Sequence, residues 1–414
     1  MAGDPDSHES NPSTEKKTGW RSLPRNVWVM TAGSFLTDIS SEMIVYLIPL
    51  FLANVLGVRT SVIGLIEGVA ETTASLVKLY SGALSDKMGK RKFLVLTGYS
   101  LSTFAKPFLY FANTWGWVLA VRFVDRVGKG IRTAPRDALV AGSINEKQRG
   151  LAFGVHRAGD TAGAFVGLAA AMVIVWMNQG TAPELSRATF QIAVLVSFIP
   201  ALLAVIVLAV GVREIPGQGT GKAPVLSLQG FDTRFKHFLF IIILFTLGNS
   251  SDAFIILRGQ ERGLDVFQVM AMVLTFNFVY AVLSGPLGAL SDKIGRRKLI
   301  IGGWIAYGLV YLGLALSQSG GQVWALFTLY GVYYAATEGS AKALIADLVP
   351  NEKRGTAYGL YNAAIGLAAL PASLIAGLLW QGLGPWAGFG ASAPFYFGAA
   401  MALVSGFLFW KWVR

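Results

Sequence analysis

Apolar residues along this chain fill long runs, and short polar stretches rich in Gly, Lys and Arg separate them. A run of about 20 such residues is what a helix needs to cross the hydrocarbon of a bilayer. Twelve can be placed, at about 27–54, 61–84, 93–112, 116–140, 150–176, 189–212, 237–258, 265–290, 299–318, 322–348, 356–381 and 391–413. Between the sixth and seventh, the segment from Arg213 to Lys236 carries Pro216, Gly217, Gly219, Gly221 and Pro224, residues that interrupt helices. The pattern predicts an all-α integral membrane protein. Its parts are a tail over 1–26, a six-helix bundle over 27–212, a linker over 213–236 and a second six-helix bundle over 237–414.

The chain is built twice. Gly82-Ala83-Leu84-Ser85-Asp86-Lys87-Met88-Gly89-Lys90-Arg91-Lys92 returns as Gly288-Ala289-Leu290-Ser291-Asp292-Lys293-Ile294-Gly295-Arg296-Arg297-Lys298, identical at nine of eleven positions. Ala138-Leu-Val-Ala pairs with Ala343-Leu-Ile-Ala, Arg149-Gly150 with Arg354-Gly355, and Ser40-Ser41-Glu42 with Ser250-Ser251-Asp252. Each copy of the basic stretch is a hinge between two apolar spans, and Gly89 and Gly295 permit the left-handed turn that ends a helix. A carboxylate there is favoured beside a neighbouring helix N-terminus. On a plainer reading, each hinge is simply a basic loop on the cytoplasmic side.

This hinge resembles the signature of the major facilitator superfamily, Gly-x-x-x-Asp-Arg/Lys-x-Gly-Arg-Arg/Lys-Arg/Lys. Lys90 stands where Arg is commoner, and every other defined position fits. The resemblance covers the chain from Trp28 onward. It implies the major facilitator fold, two pseudo-symmetric six-helix bundles, and a secondary transporter working by alternating access. It also implies a cytoplasmic gate at Gly82, Asp86, Gly89 and Arg91 in one copy and at Gly288, Asp292, Gly295 and Arg296 in the other. Spans 1, 4, 5, 7, 8, 10 and 11 are expected to line a cavity, and spans 6, 9 and 12 to face lipid.

Composition narrows the class further. With 54% apolar residues in 414 and 48 Gly, the chain is too hydrophobic for a soluble two-domain protein. Its net charge of +12 sits in clusters between apolar spans, where it meets an anionic leaflet rather than nucleic acid. Charge placement predicts both termini on the cytoplasmic side of an inner membrane. The polar stretch Met1 to Gly19 reads as a tail without the apolar core of a signal peptide. No Cys, three scattered His and no Walker A pattern predict no metal site and no cofactor. The expected partners are a small-molecule substrate, protons and the bilayer, with the chain a monomer.

Candidate chemistry lies inside the spans, where ionisable residues are costly and mark function. Asp38 and Glu42 stand four apart on one face of the first span, and Asn249 and Asp252 sit at the matching place in the seventh. Glu42 and Asp252 are expected to face each other across the cavity. Two readings stand for such acids: contact with substrate or coupling ion, or a static polar plug. In the second span, Glu67, Glu71 and Lys78 share one stripe, and Lys106 precedes Pro107 in the third. Snorkelling to the interface accounts for these as well as function does.

The fourth span holds Arg122, Asp125, Arg126, Gly128 and Gly130. It resembles the family's Arg-Phe-Leu-Gln-Gly-x-Gly-x-Gly motif, whose Arg is associated with proton coupling, but Asp125 and Arg126 depart from it. Arg122 is expected to pair with Asp125 or Asp160 as a proton-responsive cluster, or to lock the helix statically. In the fifth span Arg157 and Asp160 can pair, and Gly159, Gly163 and Gly167 favour close packing. The family's antiporter signature is incomplete here, with Asp160 in place of its Pro. In the tenth, Glu338 and Lys342 form a favourable i, i+4 pair. The expected function is proton-coupled export of a small amphipathic organic solute. Import of a polar metabolite or organic anion, and transport of a divalent metal, are alternatives, with a non-transporting receptor behind them. No nucleophile–base pair can be assembled, so an enzyme is not expected.

Overall fold

Every predicted span becomes helix, with boundaries moved by a few residues. The computed structural model describes residues 20–145, 148–215, 227–350 and 353–413. In order the helices are α1 (Arg25–Val45), α2 (Thr60–Met88), α3 (Arg91–Ala105), α4 (Trp115–Gly142), α5 (Arg149–Gln179), α6 (Arg187–Gly211), α7 (Thr233–Gly248), α8 (Val266–Ile294), α9 (Arg296–Leu316), α10 (Gly320–Leu348), α11 (Arg354–Gln381) and α12 (Ala393–Trp412). Three are prolonged irregularly. After α1 come Leu47–Leu50 and a π-helical turn at Phe51–Val55, after α3 a 3-10 turn at Lys106–Phe111, and α7 resumes after a break as Ala253–Glu261. Most of the tail (1–19) and the middle of the linker (216–226) lie outside the described residues. Eight of the rods are long and apolar enough by composition to cross a membrane. Of the other four, α2 and α4 carry the ionic residues of the site.

Within each half, glycine lets backbones meet. A Cβ added at Gly159, Gly163 or Gly167 of α5 would lie 2.5 Å from Thr31, Phe35 or Ile39 of α1, so the predicted glycine stripe is the α1–α5 contact. Between the halves, α2 lies along α11. An added Cβ at Gly64 would meet the Ser373 carbonyl oxygen at 2.1 Å, and one at Gly366 would meet Ser75 Cβ at 2.2 Å.

The seam closes one end of the molecule, here called the far end. Asn54 and Gln260 exchange amide hydrogen bonds at 3.0 and 2.9 Å, Arg59 donates to the Gly384 carbonyl at 2.9 Å, and the Thr60 amide donates to Gln381 Oε1 at 2.7 Å. At the opposite end, which carries the linker and both hinges, Gly285 and Gly288 have open space where a Cβ would stand. Cross-half hydrogen bonds close the far end, while at the linker end these two glycines of α8 have no neighbour from the first half.

The hinges behave as a repeat. Gly89 ends α2 at φ +62° and Gly295 ends α8 at φ +93°, both in the region that favours glycine. Arg91 donates to the Ala138 carbonyl at 3.5 Å, and Arg296, one position before Arg91's counterpart Arg297, donates to the Ala343 carbonyl at 2.9 Å. Asp86 pairs with Arg91 at 3.1 Å, Asp292 with Arg296 at 3.5 Å, and Arg296 also with Asp347. The carboxylate at the neighbouring helix N-terminus is not Asp86, as expected, but Glu214, which accepts from the Arg91 and Lys92 amides at 3.0 Å. Asp86 cannot fill that role because Arg91 holds it at the end of α2. A Cβ added at Gly82 would stand 3.5 Å from Ala134 Cβ of its own half.

Candidate functional site

A cavity of about 550 Å³ lies between the halves. It is lined from α1, α2, the 3-10 turn after α3, α4, α7, α9, α10 and α11. Two expectations change. Helices α5 and α8 supply no lining residue, and α9 supplies Ile300 and Trp304 although it was expected to face lipid. The physical reason is the α2–α11 seam, which draws the cavity towards the side of the bundle that α2 and α11 form.

The wall from the first half is ionic. Arg122 Nη2 donates to both carboxylate oxygens of Glu67, at 2.6 and 2.5 Å, with both side chains less than a tenth exposed. Arg126 lies 3.6 Å from Glu71 and 3.8 Å from Asp125. The expected pairing of Arg122 with Asp125 or Asp160 is therefore replaced. Arg122 rises from α4 into α2, where Glu67 meets it, and Glu67 is no snorkelling interface residue. The Lys106 amino group, also buried, donates to Ser40 Oγ at 2.8 Å and Ser41 Oγ at 3.0 Å. Arg132 stacks on the Tyr99 ring at 4.4 Å. Asp38 and Glu42 line the cavity, and among the described residues neither has an ion-pair partner within 4.0 Å.

The wall from the second half is aromatic, with Phe245, Trp304, Tyr333, Tyr334 and Tyr361. Helix α7 breaks here. Gly248 is its last helical residue, Asn249 turns out at φ −97°, ψ 81°, and helix resumes at Ala253. The run Gly248-Asn249-Ser250-Ser251-Asp252 consists of weak helix formers whose side chains compete for backbone hydrogen bonds. Two tyrosines hold the break, Tyr330 donating to Asn249 Oδ1 at 3.0 Å and Tyr307 to the Gly248 carbonyl at 2.9 Å. Asp252 lines the same cavity as Glu42. Glu67 and Glu71 of α2 line that cavity too.

The remaining predicted residues sit apart. Asp160 faces His156 at 3.5 Å and Arg157 turns away from it, donating to Tyr280 at 2.9 Å and lying 4.0 Å from Glu338. Tyr280 donates to Glu338, which also accepts from Lys342 at 2.9 Å, so the expected Glu338–Lys342 pair is present within a larger network joining α5 to α8 and α10. Neither Arg157 nor Asp160 lines the cavity. Residues that the sequence left ambiguous, Glu67, Glu71 and Lys106, do. Among the described residues no group of three His, Cys, Asp or Glu is placed to hold a metal ion.

A duplicated basic hinge, two half-bundles and one polar cavity between them define a transporter architecture. The profile of the Major Facilitator Superfamily matches residues 30–257 and 238–414. An uncharacterized transporter of that type from Methanocaldococcus jannaschii is 37% identical over 395 residues, spanning 94% of this chain and 95% of its own length. The multi-drug resistance efflux pump PmrA of Streptococcus pneumoniae is 23% identical over 346 residues, 80% of this chain and 82% of the pump. The solved nucleoside transporter NupG superposes with a TM-score of 0.76 at 12% identity, over 94% of this chain and 100% of that one. The chain belongs to the Major Facilitator Superfamily. It is a multi-pass membrane protein and a secondary transporter of a small molecule, not an enzyme.

Proposed function

We propose that this transporter exports a small amphipathic organic solute in exchange for protons, with the bundles 27–212 and 237–414 rocking about the cavity. The observation that carries the reading is the pair of unlike walls, one ionic and one aromatic, around a single space. A solute with an apolar body and a charged group matches both. Asp38 and Glu42 are the proton carriers: they line the space without an ion-pair partner, and an unpaired carboxyl can load and release a proton as the cavity changes sides. Arg122 is the fixed partner of Glu67 and holds α4 to α2. The linker end, with its basic hinges, faces the cytoplasm in an inner membrane, so the cavity opens inward and the hinges Asp86–Arg91 and Asp292–Arg296 form the cytoplasmic gate. The efflux pump among its relatives supports export.

Liposomes holding the protein as a monomer and the pH dye pyranine test this under an imposed pH gradient. Amphipathic organic solutes of either charge are added in turn. At least one should drive proton movement in the parent, and Glu42→Gln should abolish that movement with the fold intact. No proton movement with any solute, or unchanged movement in Glu42→Gln, overturns the reading.

A further inference from the structure

Charge is divided unequally around the cavity. All its lining bases, Lys106, Arg122, Arg126, Lys129 and Arg132, come from the first half. The second half offers two lining acids and no lining base. One of them, Glu338, is engaged by Tyr280 and Lys342. The other, Asp252, has no cation within 4.0 Å among the described residues, and the acids near it, Glu67 and Glu71, are matched by Arg122 and Arg126.

Asp252 stands at the break in α7, a place built by named contacts rather than left loose. The break is pinned by Tyr330 on Asn249 and Tyr307 on Gly248. Around it, Tyr330 and Tyr334 meet edge to face with ring centres 5.1 Å apart, and Phe245 stacks on Trp304 at 4.8 Å. These rings are fixed before any ligand arrives. Tyr333, Tyr334, Trp304 and Phe245 line the same space as the carboxylate. Aromatic faces attract cations, most strongly where water is excluded, and a carboxylate without its own counter-ion supplies the charge they lack.

We propose that the α7 break is the binding subsite for the substrate's cationic group, an organic ammonium or similarly delocalised monovalent cation, held by Asp252 and the rings of Tyr333, Tyr334 and Trp304. The inference rests on the transport reading and adds the sign of the substrate's charge and the wall that reads it. An anionic solute finds no base on this wall. On the first wall the five bases are balanced by five lining acids, Asp38, Glu42, Glu67, Glu71 and Asp125, and Asp38 and Glu42 carry the exchanged protons, which leaves Asp252 as the lining acid open to the substrate's charge. Specificity then arises from the acid's attraction and from the lack of a lining base on this wall to receive an anion.

Binding is measured by calorimetry on the full-length protein in detergent, with tetraphenylphosphonium as the probe and benzoate as the anionic control. The parent should bind tetraphenylphosphonium and not benzoate. Asp252→Asn should weaken that binding about tenfold or more, the ratio expected for losing a close charge contact. Asp252→Glu should recover most of it. Tyr334→Leu should weaken it and Tyr334→Phe should not, because only the ring face is used. Thermal unfolding of each variant shows that it is folded. Absence of tetraphenylphosphonium binding, equal binding by the parent and a folded Asp252→Asn, or preference for benzoate overturns the subsite. Any of these results combined with solute-driven proton movement in liposomes sinks the subsite and leaves the transport reading standing, whereas cation binding without proton movement does the reverse.

Discussion

Glu42 and Asp252 come from one duplicated Ser-Ser-acid sequence, yet they stand in different worlds. Glu42 sits in an unbroken α1, with Lys106 bonded to the two serines before it and the ionic wall of α4 beyond. Asp252 sits where α7 has come apart, among rings and across from acids already matched. The sequence before each acid explains the divergence. Ile39 precedes the serines in α1 and packs beneath Gly167, whereas Asn249 precedes them in α7 and bonds sideways to Tyr330. Duplication placed two acids on one cavity; a few residues of context gave one a helix and the other a break. In the mechanism proposed above, that separates proton carriage from ligand binding.

The ionic character of the first half is open to the hardest test. Arg122→Ala strands Glu67 as a buried, unpaired carboxylate, and the loss should be about 3–5 kcal/mol. Thermal unfolding in detergent should fall accordingly, and the double change Arg122→Leu with Glu67→Leu should recover most of it. If the single variant melts with the parent, the ionic wall is not structural and its contrast with the aromatic wall fails. Next in size is the seam. Gly64→Leu puts a side chain where the Ser373 carbonyl stands 2.1 Å from an ideal Cβ, so the far end must part. The chain has no Cys, and labels at Thr181 and Leu383 enter without background. Their distance by double electron–electron resonance should lengthen by several Å, on the scale of domain motions.

Smaller effects probe the break itself. Asn249→Ala removes one hydrogen bond from Tyr330 and should cost about 1 kcal/mol. Together with Ser250→Ala it should slow amide exchange across residues 249–252 towards the protection found in α1. An unchanged exchange rate would mean that the rings, and not the weak helix formers, set the break. Smallest of all, Asp86→Asn and Asp292→Asn each disturb partly exposed pairs within one half and should change stability by less than about 1 kcal/mol. In the gate proposed above they should still move a label distance measured across the linker end, and an unchanged distance in both would remove them from that gate.

Much of this architecture is written in local pattern. Twelve spans, the repeated hinge with its two positive-φ glycines, the α5 glycine stripe and the Glu338–Lys342 pair all follow from runs and spacings within one segment. Partnership across helices does not. Arg122 and Glu67 are 55 residues apart, and only the rotation of α2 against α4 decides that they meet, not Arg122 and Asp125. The same rotation brings Glu71 into the cavity. The break in α7 was visible as Gly248-Asn249-Ser250-Ser251-Asp252, but hydropathy averages over such a run. Its apolar flanks hid it.

The far end of the molecule is shut without pairing opposite charges: by the reciprocal amides of Asn54 and Gln260, by the Arg59 guanidinium on the Gly384 carbonyl, and by glycines that let the helices meet. Among the described residues no ion pair crosses between the halves there, while both hinges at the other end are ionic. Dissolved salt shortens the reach of charge to about 10 Å at 0.1 M and about 3 Å at 1 M, and has little hold on an amide pair. Brine and fresh water should therefore find the far door equally shut. Ionic strength acts instead on the Asp86–Arg91 and Asp292–Arg296 pairs, so salt loosens one end of this machine and spares the other.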